Sequence, residues 1–313
     1  MYEHDHEPSA PRRNRPTRQL DDDEPRYLKR SRRGAPATID TNADTDPPPA
    51  GGSWSSWDLA EHGPTPRPDW LITELAAVDT ELGVLKTGKE ADVHLVRRGV
   101  PGTDRSCLLA AKRYRDPDHR LFHRDAGYLE GRRVRRSREN RAMQGRTAFG
   151  RQMIAGQWAR AEFTALARLW RIGAELGAVA VPYPVQLVGT ELMLEFIGAP
   201  DGGVAAPRLA QLRPESPELH QLWDQLVEAL VMLARAGLAH GDLSPYNLLV
   251  QDGRLVLIDL PQVVDVVANP QGREFLARDV RVVSNWFVAR GLPDGLADPG
   301  ELTDRLLVEA GLR

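Results

Sequence analysis

The sequence predicts an α+β chain with room for two lobes and a tail, on three observations. Strand-like apolar segments gather around 82–99, 107–114 and 184–196. Long stretches with apolar residues at helical spacing punctuate and follow them: GQWARAEFTALARLWRIG, the run that begins at Ser216-Pro217, and REFLARDVRVVSNWFVARG. Between the last two stretches lies a tight hairpin, Leu248 to Gln251 and Leu255 to Asp259 joined by Asp252-Gly253, the pair that best tolerates the positive φ of a two-residue turn. With 313 residues and 41% hydrophobic content, the chain can bury a substantial core.

Composition excludes more than it assigns. A formal net charge of -3 gives no global pull toward nucleic acid or membrane, so any such affinity must come from a local patch. The single cysteine, Cys107, rules out an internal disulfide and a thiolate zinc site, and its SCLLAA surroundings read as a buried thiol in a strand. No apolar run reaches the length of a membrane span, and MYEHDHEPSA lacks the pattern of a signal peptide, so a cytoplasmic protein without a membrane partner is expected.

In chain order, residues 1–65 are polar, charge-mixed and proline-rich, with DDDE at Asp21–Glu24, three prolines at Pro47–Pro49 and a basic cluster at Arg26, Lys29, Arg30, Arg32 and Arg33. This composition reads as a disordered tail. Trp54 and Trp57 are unusual in it and serve either to clip the tail to the domain or to bind a partner. The folded domain is expected over 66–292, with Asp69 capping a helix from Trp70 that carries Leu71, Leu75 and Val78 on one face. Its first lobe is expected at about 70–194 and its second at about 198–292, followed by a helical extension over 293–313.

LGVLKTGKEADVHLVRR reads as two strands around a turn with one glycine, in which Thr87, Gly88 and Lys89 either form an ordinary β-turn or contact phosphate. The next strand, Cys107 to Tyr114, carries Lys112 in an apolar setting, where an unpaired ammonium would be costly. It needs a carboxylate or a phosphate. Glu162, on the first long helical pattern with Trp158, Phe163, Leu166 and Leu169 facing inward, is the candidate partner; the alternative is a solvated Glu162. Between them, His119 to Arg151 carries ten arginines, either a solvated loop or a surface for substrate phosphate or ribosomal RNA. Strands at Pro184–Val188 and Leu192–Phe196 then lead to Gly198. The backbone of Glu195 and Ile197 would hydrogen-bond an adenine, with Leu194 behind it, or the segment is simply a core strand leaving through a turn. Ser216 as N-cap and Pro217 at the first helical position open a core helix.

The hairpin concentrates the chemistry. With its register fixed, Asn247 and Asp259 come together, and Asp242 lies on the loop just before. An amide oxygen and a carboxylate suit Mg²⁺, or Mn²⁺, completed by water and the phosphates of ATP, while Asp242 can orient a hydroxyl nucleophile. His240 reads as a structural histidine bonding backbone, Ser244 as a loop cap, and Tyr246 as packed beneath the loop with its hydroxyl on a backbone group.

The order of these pieces resembles the protein kinases, and more closely the RIO-type atypical serine/threonine kinases of the RIO1 branch in bacterial form. The resemblance spans about Leu71 to Leu292 and rests on TGKEADV, AAKRY, WARAEF, LMLEFIG, HGDLSPYNLL and IDLPQ. It implies a two-lobe kinase-like fold, a small strand-rich lobe with one helix and a mainly helical second lobe, lacking the activation segment and peptide-docking helices. It implies Lys112 on the nucleotide phosphates and Asp242 and Asp259 as catalytic residues. Departures are Lys86 where the family usually has serine, Gly241, and Pro245 in place of a common acidic residue. Three activities are compatible: phosphorylation of a protein serine or threonine, an ATPase switch timing release from a partner such as a pre-ribosomal particle through an aspartyl-phosphate at Asp259, and a small-molecule phosphotransferase of the aminoglycoside or choline kinase type. The last needs a substrate-binding insert, for which the chain after Asp259 leaves no room.

Overall fold

The structure, a computed structural model, describes residues 48–49, 51–115, 148–178 and 180–312, with backbone only at 148–152. The basic cluster at 26–33 and all of the arginine-rich stretch up to 147 lie outside the described residues, as does the tail before residue 48.

The first half is a seven-stranded antiparallel sheet. Its strands are β1 (Gly52–Trp54), β2 (Glu61–His62), β3 (Val78–Thr87), β4 (Ala91–Gly99), β5 (Ser106–Tyr114), β6 (Pro184–Val188) and β7 (Glu191–Glu195), in spatial order β1-β3-β4-β5-β7-β6-β2. The helix α1 (Ala148–Leu176) separates β5 from β6 in sequence. Trp170 on α1 packs edge-on against Tyr183, with ring centroids 5.0 Å apart. The sheet's two faces do different work because side chains alternate along each strand. One face buries Val96, Cys107, Leu109, Ala111, Val185 and Met193 in an apolar cluster. The other carries Lys112.

The stretch 51–65 corrects the expected tail, because it is built into the domain. β1 pairs with β3 and β2 pairs with β6, so a segment of eleven residues, Gly52 to His62, reaches both edges of the sheet. Trp57 is buried in the apolar cluster and stacks on His62 at 3.9 Å between ring centroids, which settles the two alternatives for it as a clip. Gly63 passes so close to Pro184 that a Cβ would sit 1.9 Å from its carbonyl oxygen. Beneath this strap the fully buried Arg98 donates to Asp79 through Nε and Nη2 (2.7 and 2.8 Å) and to Gln186 Oε1 (2.9 Å), and Gln186 in turn donates to Ser56 Oγ (2.9 Å). Polar side chains of this stretch, Ser56 and His62 among them, are thus bonded within the domain.

The helix expected from Asp69 does not form; 66–77 is a series of turns. Pro64, Pro66 and Pro68 hold the entry extended. Leu71 and Ile72, adjacent in sequence, both enter the apolar cluster, Leu75 faces solvent, and Val78 already belongs to β3. So short a helix would not repay its nucleation.

The second half begins with the hairpin β8 (Gly198–Ala199) and β9 (Val204–Ala205) and continues with α2 (Ser216–Arg235), β10 (Leu238–Ala239), the hairpin β11 (Leu248–Gln251) and β12 (Arg254–Leu257), β13 (Val264–Asp265), α3 (Gly272–Val288) and α4 (Pro299–Glu309). α2 has Glu215 rather than Ser216 at the N-cap, one residue earlier than expected, with Pro217 still in the first turn. Its Leu219, Leu222, Trp223, Leu226, Leu230 and Leu233 are buried, and from α3 Leu276, Val280, Val283 and Phe287 join the same core, with Phe275 half-buried. α4 lies in the expected 293–313 extension and places Leu302 and Leu306 in this core. The core fixes α3 beneath the loop from His240 to Asn247, and that loop carries the site.

Candidate active site

The site starts from a row of cross-strand neighbours. Lys86 on β3 pairs with Val93 on β4, which pairs with Lys112 on β5, so the three side chains share one face. The register of β3 against β4 skips one residue between Glu81 and Gly83 and another between Val84 and Lys86. Together the two bulges leave Lys86 on the face that unbroken alternation from Glu81 gives it and set it opposite Val93 rather than Ala91.

Lys112 is buried and threefold engaged. Its Nζ donates to Glu162 Oε1 at 2.9 Å, lies 2.8 Å from Oε2, and donates to Asp259 Oδ1 at 2.7 Å. Burial alone would lower its pKa, but the carboxylates of Glu162 and Asp259 hold it well above the ordinary lysine value. The ammonium therefore stays charged. Glu162 is buried rather than solvated, and it also accepts from the Tyr114 hydroxyl and from the Leu260 N–H at 3.0 Å. Each oxygen of this buried carboxylate is thus paired, which its burial requires.

The hairpin supplies the facing wall. Asp252 (φ 51°) and Gly253 (φ 74°) make the expected turn, and the register Leu248↔Leu257 sets the Ile258 N–H on the Asn247 carbonyl at 3.0 Å. Asp259 itself has φ 69°, an uncommon conformation for a residue other than glycine that the surrounding bonds must maintain. Burial works to raise the Asp259 carboxyl, but the Lys112 ammonium, through charge and hydrogen bond, and then Lys86 bring it down to about 2. His240, fully buried, places Nε2 3.1 Å from the Ile258 carbonyl. A carbonyl only accepts, so Nε2 carries the proton and Nδ1 accepts from the Asp242 N–H at 3.4 Å. This is the structural role expected for His240.

Asn247 donates from Nδ2 to the Asp242 carbonyl at 2.9 Å, which orients its amide and leaves Oδ1 as its acceptor. Asp242 accepts from Arg278 Nη2 at 2.8 Å and remains partly exposed in the cleft. Under the loop, the buried Asp279 accepts from the Gly241 N–H (2.7 Å) and the Leu243 N–H (3.0 Å). Burial raises the Asp279 carboxyl above the usual carboxylate range. Ser244 turns the loop through its backbone, its carbonyl accepting from the Asn247 N–H at 2.9 Å. Tyr246 corrects the expectation that it packs beneath: its side chain is exposed and its carbonyl accepts from Arg208.

The expected base edge is narrowed. The Glu195 N–H donates to the Tyr183 carbonyl at 2.9 Å, and the Ile197 carbonyl accepts from the Ala206 N–H at 2.9 Å. On that edge the Glu195 carbonyl and the Ile197 N–H are the groups left to consider for a base. Leu194 pairs with Ala110 on the Lys112 face, and both are half-buried. On the same face Leu85, Leu95 and Leu108 line a cavity of about 350 Å³ beneath Gly202 and Gly203. A second cavity, about 390 Å³, lined by Trp54, Asp79, Arg113 and Glu191, is on the opposite face and away from this chemistry. Thr87, Gly88 and Lys89 form the turn between β3 and β4, closed by the Gly88 N–H on the Ala91 carbonyl at 3.0 Å. From that region Lys86, not these three, reaches Asp259, with Nζ 3.9 Å from Oδ2.

Lys86, Tyr114, Arg278 and Asp279 are thus site residues that the sequence reading missed. Asp279 had a legible signal, an acid in the inward row between Leu276, Val280 and Val283. Among the described residues no three His, Cys, Asp or Glu side chains cluster as a metal site. The donor set is one carboxylate, Asp259, and one amide, Asn247, which fits a hard cation that takes its remaining ligands from water and phosphate.

Comparison with known proteins gives a consistent answer. A family model described as RIO domain matches residues 120–297. Over 214 residues the chain is 36% identical to the RIO-type serine/threonine-protein kinase Rio1 of Haloferax volcanii, covering 68% of this chain and 65% of that protein. It is 32% identical over 212 residues to the serine/threonine-protein kinase RIO1 of Caenorhabditis elegans (67% and 38%), and 35% identical over 146 residues to the serine/threonine-protein kinase RIO3 of Homo sapiens (46% and 27%). The chain therefore spans less than two thirds of the length of these relatives.

Proposed function

Because the chain belongs to the RIO-domain family, we propose that it transfers the terminal phosphoryl group of ATP to a serine or threonine hydroxyl of a protein. The observation that carries this is the bridge made by Lys112, whose ammonium touches Glu162 and Asp259 at once, beside the loop holding Asp242 and Asn247. Glu162 aims the ammonium, and Lys112 aligns the phosphates. Asn247 and Asp259 hold Mg²⁺, or Mn²⁺, which when bound supplies charge neutralisation on the phosphate oxygens. Asp242, held by Arg278 and by the Asp279-braced backbone, orients the acceptor hydroxyl and takes its proton. The apolar face at Ala110 and Leu194 receives the base.

The finer architecture is part of the same reading: two lobes, without activation segment or peptide-docking helices. It is supported by the short path from Asp259 to α3, which begins at Gly272. That path also disfavours a small-molecule phosphotransferase, which needs an insert there. It favours a second reading, ATP hydrolysis, since little chain is left to seat a peptide. In that reading a carboxylate oxygen of Asp259 attacks the terminal phosphorus, the bond to ADP breaks, and water then hydrolyses the acyl phosphate. An arginine-rich contact to a ribosomal particle or RNA belongs to the residues outside the description.

The test is ATP turnover by Lys112→Met and Asp259→Asn, followed by acid-quenched labelling with γ-labelled ATP and a hydroxylamine wash. Both variants are expected to lose turnover. Turnover within twofold of wild type in both overturns the site. Label removed by hydroxylamine and absent in Asp259→Asn selects the hydrolytic route, whereas label that survives selects transfer to a hydroxyl.

A further inference from the structure

Two ammonium groups converge on Asp259, and only one is explained by the site so far. Lys112 is buried, and its hydrogen bonds to Glu162 and Asp259 are short. Lys86 is different in each respect. Its side chain is 43% exposed, and its Nζ stands 3.9 Å from Asp259 Oδ2, the oxygen that Lys112 does not hold. A pair this long and this exposed adds little to stability. The fold nevertheless spends two bulges, between Glu81 and Gly83 and between Val84 and Lys86, that bring this lysine into one row with Val93 and Lys112. Without them Lys86 would keep its face but stand opposite Ala91, two residues away along β4 and out of that row.

The charge balance says what Lys86 waits for. Lys86 and Lys112 cancel Glu162 and Asp259, and Arg278 is already paired with Asp242. The formal charges of these six side chains therefore sum to zero. A nucleoside triphosphate with one divalent cation brings a surplus of negative charge, and that surplus sits on the terminal phosphate. A cation held by Asp259 would compete with the Lys86 ammonium for that carboxylate. The flexible lysine stem would then have the nucleotide's phosphates as its alternative anionic partner.

Resting on the nucleotide reading above, we propose that Lys86 is a second phosphate-binding lysine that reads the terminal phosphate and so separates triphosphate from diphosphate. Lys112 serves the inner phosphates, and Lys86 serves the outer one.

The experiment is calorimetric binding of ADP and of the non-hydrolysable β,γ-imido analogue of ATP, each with excess EDTA and with Mg²⁺, to wild type, Lys86→Met and Lys86→Arg. Thermal unfolding of each variant runs alongside, and Lys86→Met should be as stable as wild type because the side chain is exposed. Lys86→Met is expected to weaken the triphosphate about tenfold, the scale of one charge-assisted hydrogen bond, and the diphosphate less than about threefold, with Lys86→Arg close to wild type. Equal weakening of both nucleotides, or no weakening of either, overturns the inference while leaving the functional reading in place. Failure of wild type to bind either nucleotide overturns the functional reading and the inference with it.

Discussion

Asp279 lies at the centre of the catalytic loop without reaching the cleft: its two carboxylate oxygens each accept one backbone N–H, from Gly241 at 2.7 Å and Leu243 at 3.0 Å, on either side of Asp242. The residue it braces, Asp242, is the one proposed to orient the acceptor hydroxyl. Asp279→Asn keeps one acceptor and turns a donor toward the other N–H. It is expected to cost about 1–3 kcal/mol in urea unfolding and to lower turnover more than nucleotide affinity. Unchanged unfolding and turnover would show that the loop holds its shape without this brace.

The Lys112 and Glu162 pair is buried, so breaking it differs from replacing it. Lys112→Met leaves a buried carboxylate facing an apolar side chain and is expected to cost about 3–5 kcal/mol. Combining it with Glu162→Leu should cost clearly less than the sum of the two single changes. Strict additivity in this double-mutant cycle, measured by denaturant unfolding, would mean the contact carries no coupling.

Asp259 links the site to acid stability. Its folded pKa is about 2 against an ordinary 3.8, so the group contributes stability above about pH 4, and that contribution is lost as the pH falls toward 2. With a third of the side chain exposed, the contribution is about 1–2 kcal/mol after allowance for solvent screening. Asp259→Asn should show a flatter fall in stability over that window, read from chemical unfolding at successive pH values. Parallel curves for the two proteins would remove Asp259 from the acid response.

The start of the domain can be placed by two truncations. A chain begun at Pro47 retains β1, β2 and Trp57, and its thermal midpoint is expected to match that of the full chain. A chain begun at Pro66 loses both outer strands, Trp57 from the apolar cluster and the Ser56 acceptor for Gln186, and should lose several degrees or fail to fold. Equal midpoints for the two truncations would show the strap to be dispensable.

How far the sequence reached depends on the range of the forces involved. Lys112 in an apolar strand had to find a partner, and the hairpin turn at Asp252-Gly253 fixes its own register, so the bridge to Glu162 and the placement of Asn247 and Asp259 were legible from local chemistry. Lys86 was not, because its place in that row depends on two bulges that no residue type announces. The strap at 51–62 was hidden for another reason. Few of its residues are apolar, and its attachment comes from backbone pairing and from polar side chains such as Ser56 that meet partners more than a hundred residues away. The missing helix after Asp69 shows the opposite error, in which helical spacing over about two turns was outweighed by burial of Leu71 and Ile72 together.

The strap has a consequence for how the molecule meets its neighbours. A sheet with two bare edges invites strand addition from another chain, and here each edge is capped by a piece of the same short segment. The part of β3 that β1 leaves unpaired, from Glu81 onward, is interrupted by two register shifts, by Gly83 and by the charged Lys86. A bulged, charged edge is a poor template. The outermost strands are β1 and β2 themselves, only three and two residues long. Lengthening this sheet, whether between identical copies or with an extended peptide, therefore gains few backbone pairs, and recognition through side chains is favoured.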